Sequence, residues 1–226
     1  MAPGAAQESV LVVCAHPDDE VFGPGGTVAR YSREGKTVRA VIFTYGEDSH
    51  PWQKSELTQE VRIRESKRAA GILGYKECLY LGLKEGKILD ELHDTDLATK
   101  LKRLIEKFGA TKIITHSPND PHPDHRATYQ VVRAVAASLR TVVPVYTFDI
   151  WTVVSFRHRG RPTLVVDISG TFSTKIRALR CFKSQQFSLL SLLWSVYLKA
   201  LLTGVKNNCR YAEAFHRAAI VREALT

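Results

Sequence analysis

Short runs of β-branched and apolar residues alternate along this chain with segments long enough to be helices, and that alternation limits the fold more than any other feature. Residues 10–15 (VLVVCA) read as a strand buried on both faces and closed by a Pro-Asp turn. Residues 25–34 space Val28 and Tyr31 on one side and stop at Gly35, as a helix with a glycine C-cap does. Residues 38–44 form a second buried strand, 57–73 an amphipathic helix ending at Gly74, and 77–81 a third strand. The pattern repeats with a helix over 96–108, a strand over 112–115, a helix after Pro123 and a strand over 145–150, then a strand over 164–168 and a helix over 172–186. Strands joined through helices demand right-handed crossovers, so the expectation is an α/β, Rossmann-like, mostly parallel sheet with helices on both faces.

With 226 residues, 44% of them hydrophobic and 24% charged, the chain suits one globular domain and excludes disorder as the main state. Residues 1–9 lack a positive and then apolar leader, so they read as a flexible tail before a single domain over 10–226. Cys14, Cys78, Cys181 and Cys209 are far apart and form no C-x-x-C pair. This fits a reducing, cytoplasmic setting and gives no zinc ribbon or disulfide scaffold. The formal net charge of +9 favours anionic partners. The basic clusters at 62–68 and 157–161 are short and lack an aromatic platform, so no nucleic acid is expected.

In open α/β sheets ligands bind beyond the carboxyl ends of the strands. After the first strand comes AHPDDE, with His16, Asp18, Asp19 and Glu20; after the fourth comes NDPHPDH, with Asp120, His122, Asp124 and His125. Either alone could be a capped turn. Gathered at one sheet edge, so many carboxylates would repel unless a cation or protons neutralise them. Imidazole and carboxylate are what zinc takes when no thiolate is offered, and His16, Asp19 and His125 can supply the three ligands of a catalytic site. Asp18, between two of them, is then free to act as a base. Of His122 and His125, three residues apart, one can ligate while the other faces the substrate.

These motifs, with GPGGT at 23–27, Arg62-x-x-Glu65 followed by AAGILG, KSQ at 183–185 and YAEAF at 211–215, resemble the PIG-L/LmbE family of zinc-dependent N-deacetylases over residues 10–215. The resemblance implies one zinc per chain on His16, Asp19 and His125, with another divalent metal as the alternative. It implies Asp18 as general base, His122 as the group that stabilises or protonates the tetrahedral species, and Asp124 as the residue that orients a neighbouring histidine. Arg62 falls where the family places a substrate-contacting arginine. Asp120 stands where some members carry an oxyanion-assisting tyrosine, and is expected on the substrate side. The implied reaction removes acetyl from an N-acetylglucosamine (GlcNAc) conjugate; a deacetylase for another N-acyl substrate, or a non-catalytic basic binding module keeping fold and metal, is the alternative.

Gly23, Gly25 and Gly26 lack both the G-x-G-x-x-G order and a P-loop lysine, so they are expected to let backbone pack closely beside the metal site rather than to bind a nucleotide. His116, at the end of the fourth strand, is placed to line the site. Residues 187–205 are the most apolar stretch, with Ser191, Ser195, Lys199 and Thr203 as a polar stripe every four residues. A helix packed on the domain is the first expectation, and peripheral contact with an anionic membrane surface, flanked by Lys183, Lys206 and Arg210, the second. Homo-oligomerisation is left open.

Overall fold

The computed structural model describes residues 7–47, 55–92, 95–151 and 163–221. His50, His93, His158 and the cluster at 157–161 lie outside them. Strands β1 (Ser9–Cys14), β2 (Thr37–Thr44), β3 (Glu77–Leu83), β4 (Lys112–His116), β5 (Val145–Phe148), β6 (Thr163–Asp167) and β7 (Ala212–Arg217) form one sheet in the order β3-β2-β1-β4-β5-β7-β6. The first five run parallel, and β7 lies antiparallel between β5 and β6. The helices are α1 (Asp19–Phe22), α2 (Gly25–Arg33), α3 (Ser55–Leu73), α4 (Thr95–Lys107), α5 (Pro123–Ser138), α6 (Phe172–Leu179) and α7 (Gln186–Lys206).

Every residue of β1 is buried, and its period of two divides the core. Val10, Val12 and Cys14 pack with Val28, Leu73, Ile176 and Val196 on one face; Leu11 and Val13 pack with Leu101, Ile105, Val131 and Val135 on the other. In α4, Leu97, Leu101 and Ile105 recur every four residues and form its buried stripe. Each such fully buried side chain contributes roughly 1.5–3 kcal/mol of transfer free energy. The mostly parallel α/β expectation therefore holds, with helices on both faces.

Three local expectations change. Gln7, Glu8 and Ser9 are bound rather than loose: Gln7 donates to the Gly35 carbonyl, Glu8 pairs with Lys36 and Lys112, and Ser9 opens β1. The single helix over 172–186 ends at Leu179, because Phe182 is drawn fully into the core and Glu65 accepts hydrogen bonds from both the amide and the hydroxyl of Ser184. Strand β7 was not foreseen. Its Glu213 is buried and accepts from the Gly26 and Thr27 amides at the start of α2 and from Lys175 Nζ of α6, tying sheet edge and helices together. A Cβ on Gly26 would come within 2.7 Å of Ile168, so here the glycine serves close packing against Ile168 and Glu213 rather than against the expected ligands.

The chain steps outward from β1 to β2 and β3, then returns to β4 on the other side. The order reverses between β1 and β4, and their carboxyl ends lead into AHPDDE and NDPHPDH. That is the switch point at which such sheets place ligands.

Candidate active site

His16 and Asp19 follow β1, the latter opening α1, while His125 stands in the first turn of α5. Pro123 at N1 pre-sets the helical φ, and His122 caps the helix, its Nδ1 accepting from the Asp124 amide at 3.2 Å. Asp19 is the hub. Its Oδ2 is 3.3 Å from His16 Nδ1 and its Oδ1 3.4 Å from His125 Nε2. The other nitrogen of each ring faces a carboxylate: His16 Nε2 lies 3.2 Å from Asp124 Oδ2, and His125 Nδ1 lies 3.0 Å from Asp120 Oδ1. The three residues expected as ligands are thus brought together around one carboxylate. His116 is fully buried, stacks on His125 at 3.9 Å between centroids and puts its Nε2 3.3 Å from Asp19 Oδ2.

Electrostatics follow from this crowding. Burial alone would raise the Asp19 carboxyl, but the His125 and His116 imidazoles outweigh it and hold the acid well below the usual carboxylate range. Burial opposes charging of His16 and His125, yet Asp124 and Asp19 lift the first to about 10, and Asp19 and Asp120 lift the second to about 9. The cluster therefore favours positive charge between its rings, as protons or as a cation. Burial, with His16 and His125 close by, lowers His122, so its neutral form is preferred. Because Nδ1 accepts from the backbone, that neutral ring carries its proton on Nε2.

Asp18 has φ 129° and ψ −28°, a region L residues rarely enter, and the surroundings hold it there. Its amide donates to Glu20 Oε2 at 2.8 Å, Glu20 Oε1 accepts from Ser66 Oγ, and Tyr80 donates to Ser66. Arg62 Nη2 donates to the Pro17 carbonyl and to Asp18 Oδ2 at 3.2 Å. Gly46, at φ 70°, leaves room for that guanidinium: a Cβ there would sit 2.6 Å from Arg62 Nε. Burial pushes Asp18 up to about 6, with Arg62 opposing and Asp19 reinforcing the rise.

A cleft of about 220 Å³ opens over these groups, lined by His16, Asp18, Asp19, Arg62, His122 and His125, with Glu85, Trp151 and Gln185 on its walls. Asp120 and Asp124 are not in its lining. Asp120, expected on the substrate side, is 1% exposed and turned behind the site: besides facing His125, it accepts from the His122 and Ile150 amides. Asp124 does face a histidine, but it is His16, across the cleft from its own helix. Sequence reasoning missed Glu85, whose Oε1 is 3.4 Å from His16 Nε2. It follows β3, so applying the carboxyl-end rule to that strand as well would have found it. The role of Glu20 in fixing the Asp18 amide went unread, although Glu20 stands in the motif.

The sequence pattern of PIG-L, GlcNAc-PI de-N-acetylase, matches residues 11–136. The chain belongs to the PIG-L family. It is 32% identical over 196 residues to the probable N-acetyl-alpha-D-glucosaminyl L-malate deacetylase 2 of Bacillus cereus, covering 81% of this chain and 86% of that one. Its fold is similar to that of N,N'-diacetylchitobiose deacetylase from Pyrococcus horikoshii, with TM-score 0.79 and 22% identity over 94% of this chain and 84% of that one. A third likeness, to the 4-carboxy-2-hydroxymuconate hydratase of Pseudomonas putida, has TM-score 0.80 at 22% identity and covers 97% and 100% of the two chains. Relatives of this chain thus include deacetylases of GlcNAc conjugates, and a hydratase occurs both among the sequence relatives, at 27% identity over 88% of this chain, and among the fold neighbours.

Proposed function

We propose that this PIG-L protein is a metal-dependent N-deacetylase that cleaves the acetamide of a GlcNAc unit in a small conjugate. One observation carries the reading: Asp19 presents an oxygen to one nitrogen of each of two imidazoles, and each ring's second nitrogen faces a buried carboxylate. Rings that ligate metal are oriented in this way, with Asp124 and Asp120 as the outer partners of His16 and His125. His16, Asp19 and His125 would hold zinc, and the same nitrogen and oxygen set also accepts other first-row divalent ions. Zinc bound there supplies an acidified water and polarises an acyl oxygen.

The chain's own residues do the rest. Asp18, with a pKa of about 6, is ionised at neutral pH and takes a proton from water as the new C–O bond forms. His122 offers its Nε2–H to the acyl oxygen as negative charge develops there. The C–N bond then breaks, and the proton held by Asp18 passes to the departing amine. R–NH–CO–CH3 and water give R–NH2 and acetic acid. Arg62 keeps Asp18 in place and, as part of the cleft lining, would contact the substrate. The competing reading, a binding module with a structural metal, leaves unexplained why a strained, unligated acid is held beside the donor set.

This reading takes a small GlcNAc conjugate as substrate in a cytoplasmic setting. Amine release from a panel of GlcNAc glycosides tests it, with an unsaturated dicarboxylate assayed alongside for hydration. Free amine and acetate in equal amounts are expected; hydration of the dicarboxylate with no amine released would overturn the reading.

A further inference from the structure

Helix α7 turns most of its polar stripe inward, leaving Ser191 exposed. The stripe of Ser195, Lys199 and Thr203 does not face solvent; it turns inward to a cavity of about 330 Å³ between α7, β5, β6 and β7. Ser195 is buried, and Lys199 donates to the Asp149 and Ile150 carbonyls at 3.1 and 2.6 Å. The inner face thus mixes these polar groups with the buried Leu192, Val196 and Ala200, and a second set of apolar side chains is left outside. Leu190 is 72% exposed, Trp194 57%, Leu201 43% and Val205 66%. Leu190, Trp194 and Leu201, together with Leu193, Tyr197 and Leu198, line an open apolar groove along the outer face. A contiguous patch of this kind on a globular protein marks a surface that meets something.

Charge identifies the occupant. No Asp or Glu occurs between Asp167 and Glu213, whereas Arg177, Arg180, Lys183, Lys206 and Arg210 all fall in that interval and are exposed. Arg180 and Lys183 precede the helix, Lys206 is its last residue and Arg210 follows it, so cationic groups bracket the helix at both ends. Two copies meeting through this face would bring together two acid-free basic rims on chains of formal net charge +9. An anionic headgroup layer complements the same rim, and Trp194 and Tyr197 are the ring types that favour the interface. The helix is long and apolar enough to cross a bilayer by length and composition. Leu192, Val196 and Ala200, however, are packed into the core against the sheet, so α7 would lie in the interface rather than span it.

The geometry points to the outer face of α7 as a docking surface by which the folded protein settles on a bilayer rich in anionic lipid. The inference is independent of which amide the active site cleaves. Its test is co-sedimentation of the full chain with vesicles of phosphatidylcholine alone or mixed with phosphatidylglycerol, at low and high salt. Binding is expected to the mixed vesicles only and to weaken with salt. Trp194→Glu with Leu201→Glu should reduce the bound fraction by about tenfold or more, and Lys206→Glu with Arg210→Glu should do the same with an unchanged melting temperature. No sedimentation of the unmodified chain with the mixed vesicles would overturn the inference, as would binding that survives both pairs of substitutions. An oligomer in solution that Trp194→Glu dissociates would also overturn it, because a second copy would then own the face.

Discussion

Asp18→Asn is expected to retain its metal and lose turnover by about a hundredfold or more, the usual contribution of a positioned general base. The amide side chain preserves size and can still accept from Arg62, but it cannot take a proton from water at neutral pH. Three features single out this acid. Its backbone stands at φ 129°, its amide is held by Glu20 at 2.8 Å, and its carboxylate faces the cleft beside Arg62 rather than the ring nitrogens. Because Asp18 makes no contact with the nitrogens of His16 or His125 that face Asp19, metal content should not move. Initial rates with a GlcNAc conjugate, with metal analysis of the same sample, check both halves. A loss below tenfold would remove Asp18 from the proton transfer, and a parallel loss of metal would make it a ligand instead.

His125→Ala should abolish metal retention and, with it, activity. His125 joins Asp19 on one side and Asp120 on the other, and it also stacks on His116, so its removal opens the cluster at its centre. Asp120→Asn is the matched comparison: it leaves all three proposed ligands and weakens the carboxylate behind one ring, which also accepts from the His122 and Ile150 amides. Losing such an outer partner costs roughly 10–100-fold in metal affinity, and the His125 variant must lose more. Dialysis against graded competitor, read by metal analysis with circular dichroism to confirm folding, separates the two. Equal affinities in both variants would mean that His125 is not a ligand.

How much of this was legible in the sequence depends on the range over which each feature is decided. Buried parallel strands announce themselves locally: β1 and β2 need only their own β-branched residues, and the residues after β1 and β4 met at the switch point as their positions require. Strand β7 is different. Its single large apolar side chain, Phe215, sits among Glu213 and His216, and the segment is a strand because β5 and β6 flank it. Asp120 and Asp124 are expected at the site from the motif alone, but which histidine each faces depends on the angle at which α5 leaves β4, and no spacing encodes that. The stripe on α7 was read correctly as periodic. Which side of it faces the protein was decided by buried carbonyls at 149 and 150 that need the Lys199 ammonium, a contact across 49 residues.

The central claim is that one cation, held where His16, Asp19 and His125 meet, makes the cleft hydrolytic. Titrating zinc into metal-stripped protein while following amine release from a GlcNAc conjugate tests it most directly. Activity should be absent at the start, rise in proportion to zinc and level off at one equivalent per chain. Full activity in the stripped protein, or a rise that stays the same after His16, Asp19 and His125 have each been replaced by Ala, would contradict it.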